Sequence, residues 1–420
     1  MKSYTLKIEH FEMKVLNQDI ASTETISTSK IFMPVLAGLM AFTSLSTDIY
    51  LPAMPTMEAD LKGSIELTIT GFLIGFAAAQ IIWGPISDKY GRKRPLVIGV
   101  ILFIIGSIGC ALSNSMAAIV TWRVIQAFGA CTGPMIARAM VRDVYQKTEA
   151  ARKLSGLMIL MAVAPIVGPL LGGQILKFTS WHYIFWLLAI IGFVMLILVF
   201  FLPETMHQQH RSEKSIMQAF TNYKALLSYK KFMQYTLCLT FFYIAAYAFI
   251  AGSPTVYIKY FRVPEEFYGW LFAINVVGLV GFSLLNRRFV NIFNLDHILR
   301  TATIIAMLSG IILMIMVKFG YGGLPAIVSG IFFFFSMNGF IAACTTAAAL
   351  DGVPQMAGSA SALLGSMQYG SGIISTLLLS LFGNGTPWTM SWIIALFATL
   401  AALMMRPWKW STSKVSRQIV

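Results

Sequence analysis

Two charged side chains interrupt long apolar stretches of this chain, and they are the residues best placed to do chemistry. Asp48 lies in the apolar run 31–52, and Arg123 lies in the run 117–137. A charged side chain inside a membrane helix costs about 2.5–3.5 kcal/mol on insertion scales, so such residues usually mark ion or proton pathways. Because burial favours the neutral form of a carboxylic acid, Asp48 is predicted to exchange a proton from within a membrane helix.

Each charge also has a simpler interpretation. Asp48 closely precedes Pro52 and Pro55, so it could lie at a helix end and contact interfacial water. Arg123 could be a structural residue that donates to backbone carbonyls. We favour a role for both residues in proton coupling, in which Arg123 stabilises the charged form of Asp48 when the two are close.

The composition indicates an integral membrane protein. Of 420 residues, 57% are hydrophobic and 11% are charged, whereas globular domains carry about 25% charged residues. Apolar runs that could span a bilayer recur about twelve times. The net charge of +14 does not indicate a nucleic-acid partner, because the basic residues lie in short connections between the runs.

The distribution of lysine and arginine places both termini in the cytoplasm. The predicted organisation is an N-terminal tail 1–30, a six-helix bundle 31–202, a cytoplasmic linker 203–231, a second six-helix bundle 232–405 and a C-terminal tail 406–420. This symmetry predicts a transporter whose substrate site lies near the middle of the membrane between the halves. The cysteines and histidines form no cluster that could hold a metal or act as an enzyme's nucleophile and base, so no metal and no cofactor is expected.

A basic turn between the second and third runs carries a pattern of glycine, acid and base at fixed offsets, Gly-x-x-x-Asp-x-x-Gly-Arg-Lys. Its glycine is expected to allow close contact with the eleventh run. Its acid is expected to bind the N-terminal end of that run, or Arg138 or Arg142, and so to close the cytoplasmic side. The basic residues could instead serve only to set orientation. The pattern consists of Gly84, Asp88, Gly91 and Arg92.

Small residues and prolines are concentrated in the fifth run. Residues four positions apart form one stripe of the helix, and small side chains there let two helices approach closely. We therefore assign this motif to packing and bending rather than to chemistry. It consists of Pro165, Gly168, Pro169, Gly172 and Gly173.

Several polar residues in the apolar runs are candidates to line a substrate cavity. A hydrogen bond between helices explains any one of them equally well. They are Gln80, Gln126, Tyr243, Tyr247, Asn275, Asn338 and Gln368.

Three motifs resemble those of the major facilitator superfamily (MFS). The basic turn is similar to its cytoplasmic loop signature, Arg123-x-x-Gln126-x-x-Gly129 is similar to the fourth-helix motif of proton-coupled exporters, and Gly-Pro-x-x-Gly-Gly in the fifth run is similar to the antiporter motif. With the segments 46–55, 137–143, 252–258 and 357–365, the chain resembles the bicyclomycin-resistance (Bcr/CflA) group of drug:proton antiporters.

The resemblance implies an all-α membrane protein with the MFS fold, 12 transmembrane helices in two pseudo-symmetric bundles, and export of small drug-like molecules across the bacterial inner membrane. Its expected partners are a small-molecule substrate, protons and the lipid bilayer, and a monomer is expected. The first alternative is export of one native metabolite, such as a siderophore or an amino-acid derivative. Uptake by symport, an intramembrane enzyme and a sensor are more remote alternatives.

Overall fold

The computed structural model describes residues 31–206 and 216–406. The predicted tails 1–30 and 406–420, apart from Arg406, and part of the predicted linker lie outside the described residues. The described part of the linker includes a helix, Ile216–Ser228, that precedes the seventh span.

Twelve helices of the described chain are long and apolar enough to cross a membrane, which confirms the predicted all-α fold. We number them as spans in chain order. Their bounds are Phe32–Leu61, Glu66–Tyr90, Lys93–Ala111, Met116–Val144, Arg152–Phe178, His182–Phe200, Lys230–Tyr260, Glu265–Phe289, Leu295–Phe319, Gly323–Asp351, Ala357–Phe382 and Pro387–Met404.

The first span continues about nine residues beyond its predicted end at residue 52. Pro52 and Pro55 do not stop it, because each occupies the first turn of a new segment, where a missing N–H costs nothing. Asp48 ends the helix Phe32–Asp48, and the chain then turns into the short helix Met54–Leu61. Asp48 is therefore well inside the span and not at its end.

We call the side of the molecule at residues 31 and 406 the terminal face, and the opposite side the distal face. Two seams join the halves, between the second and eleventh spans and between the fifth and eighth. Both seams are tightly packed towards the distal face. In the first seam the Thr70 hydroxyl donates to Thr376 over 2.7 Å. In the second seam a Cβ added to Gly173 would lie only 2.7 Å from the Glu265 carbonyl oxygen.

Both seams separate towards the terminal face. Among the described residues, no atom lies within 4 Å of a Cβ placed on Gly84 or Gly358 in the first seam, or on Gly156 or Gly281 in the second. The described contacts between the halves are therefore tighter towards the distal face than at these four positions near the terminal face.

The short helix Met54–Leu61 closes the distal face. The Lys259 ammonium of the seventh span lies 2.6 Å from the Glu58 carboxylate, and the Thr56 hydroxyl donates to the Glu265 carboxylate over 2.9 Å. Asp60 accepts a 2.8 Å hydrogen bond from the indole N–H of Trp181 in its own half. This helix thus joins the first half to the second through Thr56 and Glu58, which lie two residues apart.

Candidate functional site

Asp48 faces the boundary between the two halves. Its residue is 6% exposed. Its carboxyl group is close enough to interact electrostatically with three tyrosines of the second half, Tyr247, Tyr268 and Tyr369. A carboxylate between two bodies that rock against each other changes its surroundings whenever they move. This position is compatible with the predicted exchange of a proton.

The glycine stripe of the fifth span lies directly on the backbone at Asp48. A Cβ on Gly168 would stand 3.4 Å from the Asp48 Cβ, and a Cβ on Gly172 would overlap the Ile49 carbonyl oxygen. The helix Lys147–Phe178 continues through both Pro165 and Pro169. The motif predicted to serve packing therefore sets the distance between the fifth span and Asp48.

Arg123 is completely buried in the first half. Its guanidinium carbon lies 4.4 Å from the ring centroids of both Tyr50 and Phe72, an arrangement that suits a delocalised cation. Its Nη1 donates to the Ser46 carbonyl over 3.0 Å. Arg123 thus binds the backbone two residues before Asp48, but no ion pair joins the two residues in the described chain.

Gln126 belongs to the Arg123 site and not to an open wall. It is fully buried, its Oε1 accepts a 2.7 Å hydrogen bond from Arg123 Nη1, and its Nε2 donates to Ser107 over 2.8 Å. The Nη2 of Arg123 has no hydrogen-bond partner among the described residues. The arrangement orients the guanidinium and leaves one donor group unused.

Three of the predicted cavity residues come together in the second half. The side chains of Asn338 and Gln368 lie beside the Tyr243 hydroxyl, and Tyr243 and Gln368 are partly exposed. Tyr369, next to Gln368, contacts Phe76 of the first half with ring centroids 4.2 Å apart. We call Tyr243, Asn338, Gln368 and Tyr369 the amide–phenol cluster.

The other predicted cavity residues lie elsewhere. Gln80 lies in the seam, where its amide is beside Gly365 of the eleventh span, and Tyr247 is packed against Gly372 of that span. Asn275 is fully buried in the second half and donates to the carbonyl of its own helix at Leu271.

The basic turn forms a network at the terminal face. Arg92 is 7% exposed; its Nη1 lies 2.7 Å from Asp88 and its Nε lies 2.8 Å from Asp143 of the fourth span. Burial by itself lowers the pKa of Arg92, but the hydrogen bonds and charges of Asp143 and Asp88 outweigh this effect and raise it. The guanidinium therefore stays charged and holds the second and fourth spans together.

The latch expected at Asp88 is not formed in this conformation. Asp88 forms an ion pair with Arg92, and the side chain of Asp88 is 54% exposed. A Cβ added to Gly84 would have no atom of the eleventh span within 4 Å. Arg142 is exposed and forms no ion pair within the described chain. Gly91 has φ +89 and ψ 176, a conformation open to glycine, and it reverses the chain between the second and third spans.

Two acids of this network were not among the predicted site residues. Asp143 binds Arg92, and Glu204 accepts the backbone N–H groups of Arg92 over 2.8 Å and Lys93 over 3.2 Å, which caps the third span. Both acids follow directly on the apolar end of a span, at 141–143 and 202–204. Their position at the ends of apolar runs, on the same side of the membrane as the basic turn, was the feature of the sequence that could have identified them as its partners.

Histidine, cysteine, aspartate and glutamate form no group of three that could hold a metal ion in the described part of the chain. The described cysteines are all free. The site thus consists of a buried acid, a buried arginine and a wall of phenols and amides.

Twelve spans in two halves that meet along two seams define the architecture of a membrane transporter, and comparison with known proteins agrees. The family model described as Major Facilitator Superfamily matches residues 36–376. An uncharacterised MFS-type transporter, YdgK, of Bacillus subtilis is 36% identical over 343 residues, which cover 80% of this chain and 85% of the relative. A bicyclomycin resistance protein homolog of Haemophilus influenzae is 31% identical over 354 residues, covering 83% and 89%.

A crystal structure of a D-xylose-proton symporter has the same fold, with a TM-score of 0.72 at 14% identity over 90% of this chain and 98% of the symporter. The chain belongs to the major facilitator superfamily, whose members are transporters and not enzymes. The resemblance to the Bcr/CflA type of drug exporter is confirmed by the relatives it matches.

Proposed function

We propose that this protein exports small drug-like molecules across the bacterial inner membrane in exchange for protons, with both termini in the cytoplasm. The observation that carries the proposal is Asp48, a buried acid between the halves whose backbone is in contact with the antiporter-motif glycines. The drug-resistance name of the Haemophilus influenzae relative supports the substrate class.

In the conformation open at the terminal face, Asp48 is charged and the substrate binds from the cytoplasm. The halves then rock, the seams close at the terminal face and open at the distal face, and Asp48 takes a proton as the substrate leaves. The return step carries that proton inwards. A membrane potential contributes about 2.3 kcal/mol per elementary charge per 100 mV if one net charge crosses in each cycle.

The orientation rests on the distribution of basic residues. The terminal face carries the Arg92 turn and Arg142, and the distal connections carry few basic residues. Since basic connections stay in the cytoplasm, we assign the terminal face to the cytoplasm, and the looser packing there favours an inward-facing state.

Inside-out vesicles that contain the protein test the proposal. Respiration acidifies their lumen, and a drug that is exported in exchange for protons partly dissipates the pH gradient. We expect bicyclomycin or chloramphenicol to cause a saturable loss of the gradient that vesicles without the protein do not show. A resistance panel in cells would extend the result, and export of a single native metabolite without any drug would contradict the proposal.

A further inference from the structure

The helix of the tenth span tightens locally at the level of the amide–phenol cluster. The helices Gly323–Ser336 and Asn338–Asp351 meet at Met337, whose N–H bonds the Phe334 carbonyl in a tighter turn. Asn338 is the first residue of the second helix.

The carbonyl oxygen of Asn338 lacks a donor. The side chain is 7% exposed, and its Oδ1 has no hydrogen-bond partner among the described residues. A buried acceptor without a donor costs about as much as a lost hydrogen bond. The oxygen is therefore placed to accept a hydrogen bond from a molecule that enters the space beside it.

The side chains around Asn338 are mainly aromatic. Tyr243 lies beside it, and the rings of Tyr243 and Tyr247 are 6.1 Å apart. Tyr369 and Phe76 extend the aromatic surface to the other half. Flat apolar molecules bind such rings by stacking or edge contacts, while the amides provide the polar contacts that orient a ligand.

The fixed charges near this wall give a cationic ligand no counter-charge that lasts throughout the cycle. Arg123 is fully buried and lies between Tyr50 and Phe72, so an anion cannot reach it. Arg138, nearer the terminal face, donates its Nε–H to the Pro134 carbonyl of its own helix. It lies in electrostatic range of Tyr369, and its positive charge disfavours a cationic ligand there. Asp48 must be neutral during part of the cycle if it carries the proton, and a cation then loses its counter-charge.

We propose that the amide–phenol cluster is the ligand subsite, that it selects uncharged aromatic molecules with a hydrogen-bond donor over aromatic cations, and that Asn338 determines this charge selectivity. The inference rests on the proposed export function and specifies its substrate class. An aspartate at position 338 would add a second acid to the wall and favour monocations.

Binding to the purified protein tests the proposal with three probes. Chloramphenicol is a neutral nitroaromatic amide with two hydroxyl groups, tetraphenylphosphonium is an aromatic cation without a donor, and nalidixate is an aromatic anion. We expect the wild type to prefer chloramphenicol. Asn338→Leu is expected to weaken its binding about tenfold through loss of one acceptor. Asn338→Asp is expected to shift the preference towards tetraphenylphosphonium by tenfold or more.

Asn286→Asp is the matched control. Asn286 is also a buried asparagine of the second half, 6% exposed, but its Oδ1 faces Cys344, which is 3.4 Å away. This control should leave the preference unchanged, and Gln368→Glu should reproduce the shift if Asn338→Asp does not fold. Tighter wild-type binding of tetraphenylphosphonium than of chloramphenicol, or an unchanged preference in folded Asn338→Asp, would overturn the proposal. If none of the three probes binds, the proposed function as a drug exporter is contradicted as well. If drugs bind regardless of their charge, only the proposed selectivity is contradicted, and the proposed export function stands.

Discussion

Glu58 of the first span and Lys259 of the seventh lie 2.6 Å apart and join the two halves at the distal face. With the Thr56–Glu265 hydrogen bond, this ion pair lies where the halves must part if the protein is to open outwards. The pair is a lock of modest strength, because 38% and 35% of the two side chains are exposed and exposed pairs contribute about 0.2–1 kcal/mol.

Charge reversal tests this lock. Glu58→Lys or Lys259→Glu alone places like charges across the distal face and is expected to raise the population open at that face several-fold. The double variant restores attraction and should return the population towards wild type. Distances between spin labels on the distal ends of the first and seventh spans measure the shift. Lys318→Glu, on the same face of the second half, is the control and should leave the measured distances unchanged. If the double variant shows only the sum of the two single effects, the ion pair does not hold the halves together.

A methyl group on Gly172 should disturb the acid site from the fifth span. The new Cβ would overlap the Ile49 carbonyl oxygen, so one helix must shift. We expect Gly172→Ala to lower transport at least tenfold and to lower the melting temperature. Gly156→Ala in the same helix is the matched control, since its Cβ meets no described atom within 4 Å, and alanine stabilises a helix by about 0.5–1 kcal/mol relative to glycine. Equal effects of the two variants would show that the contact at Ile49 has no special role.

Replacement of Arg123 by lysine tests the geometry of the buried cation. Lysine keeps the charge but loses the planar contact with Tyr50 and Phe72 and at least one of the two bonds from Nη1. We expect a loss of about 1–3 kcal/mol in stability and a lower transport rate, measured by thermal unfolding and by flux. Arg94→Lys, at an exposed position, should change neither quantity. Wild-type flux in Arg123→Lys would show that charge alone is sufficient.

Asp143 should contribute more to stability than Asp88, although both bind Arg92. The Asp88 side chain is 54% exposed and that of Asp143 is 20% exposed, and water weakens an ion pair less when its side chains are less exposed. We expect Asp143→Asn to lower the unfolding temperature clearly and Asp88→Asn to lower it little. Thermal unfolding in detergent measures both, and the reverse order would contradict this division.

The fold was predictable because span length, helix number and the symmetry of the halves are properties of hydropathy alone. Asp48 and Arg123 were also recognisable, since charges are rare in apolar runs. Pairings between distant positions were not, because nothing in the sequence indicates that Glu58 meets Lys259 or that Glu204 caps the third span. The role of Gln126 was ambiguous for a related reason: a polar residue on a membrane helix can face a cavity or a neighbouring arginine, and only the packing decides.

The central claim is that Asp48 carries the proton, and flux through Asp48→Asn in proteoliposomes tests it most directly. Asparagine is similar in size but cannot release a proton. We expect the variant to fold and to bind chloramphenicol, but not to accumulate it against its gradient when a pH gradient is imposed, while passive exchange down the drug gradient persists. Asp60→Asn, in the same span but bound to Trp181, should retain driven transport. Wild-type accumulation driven by the pH gradient in Asp48→Asn would contradict the account.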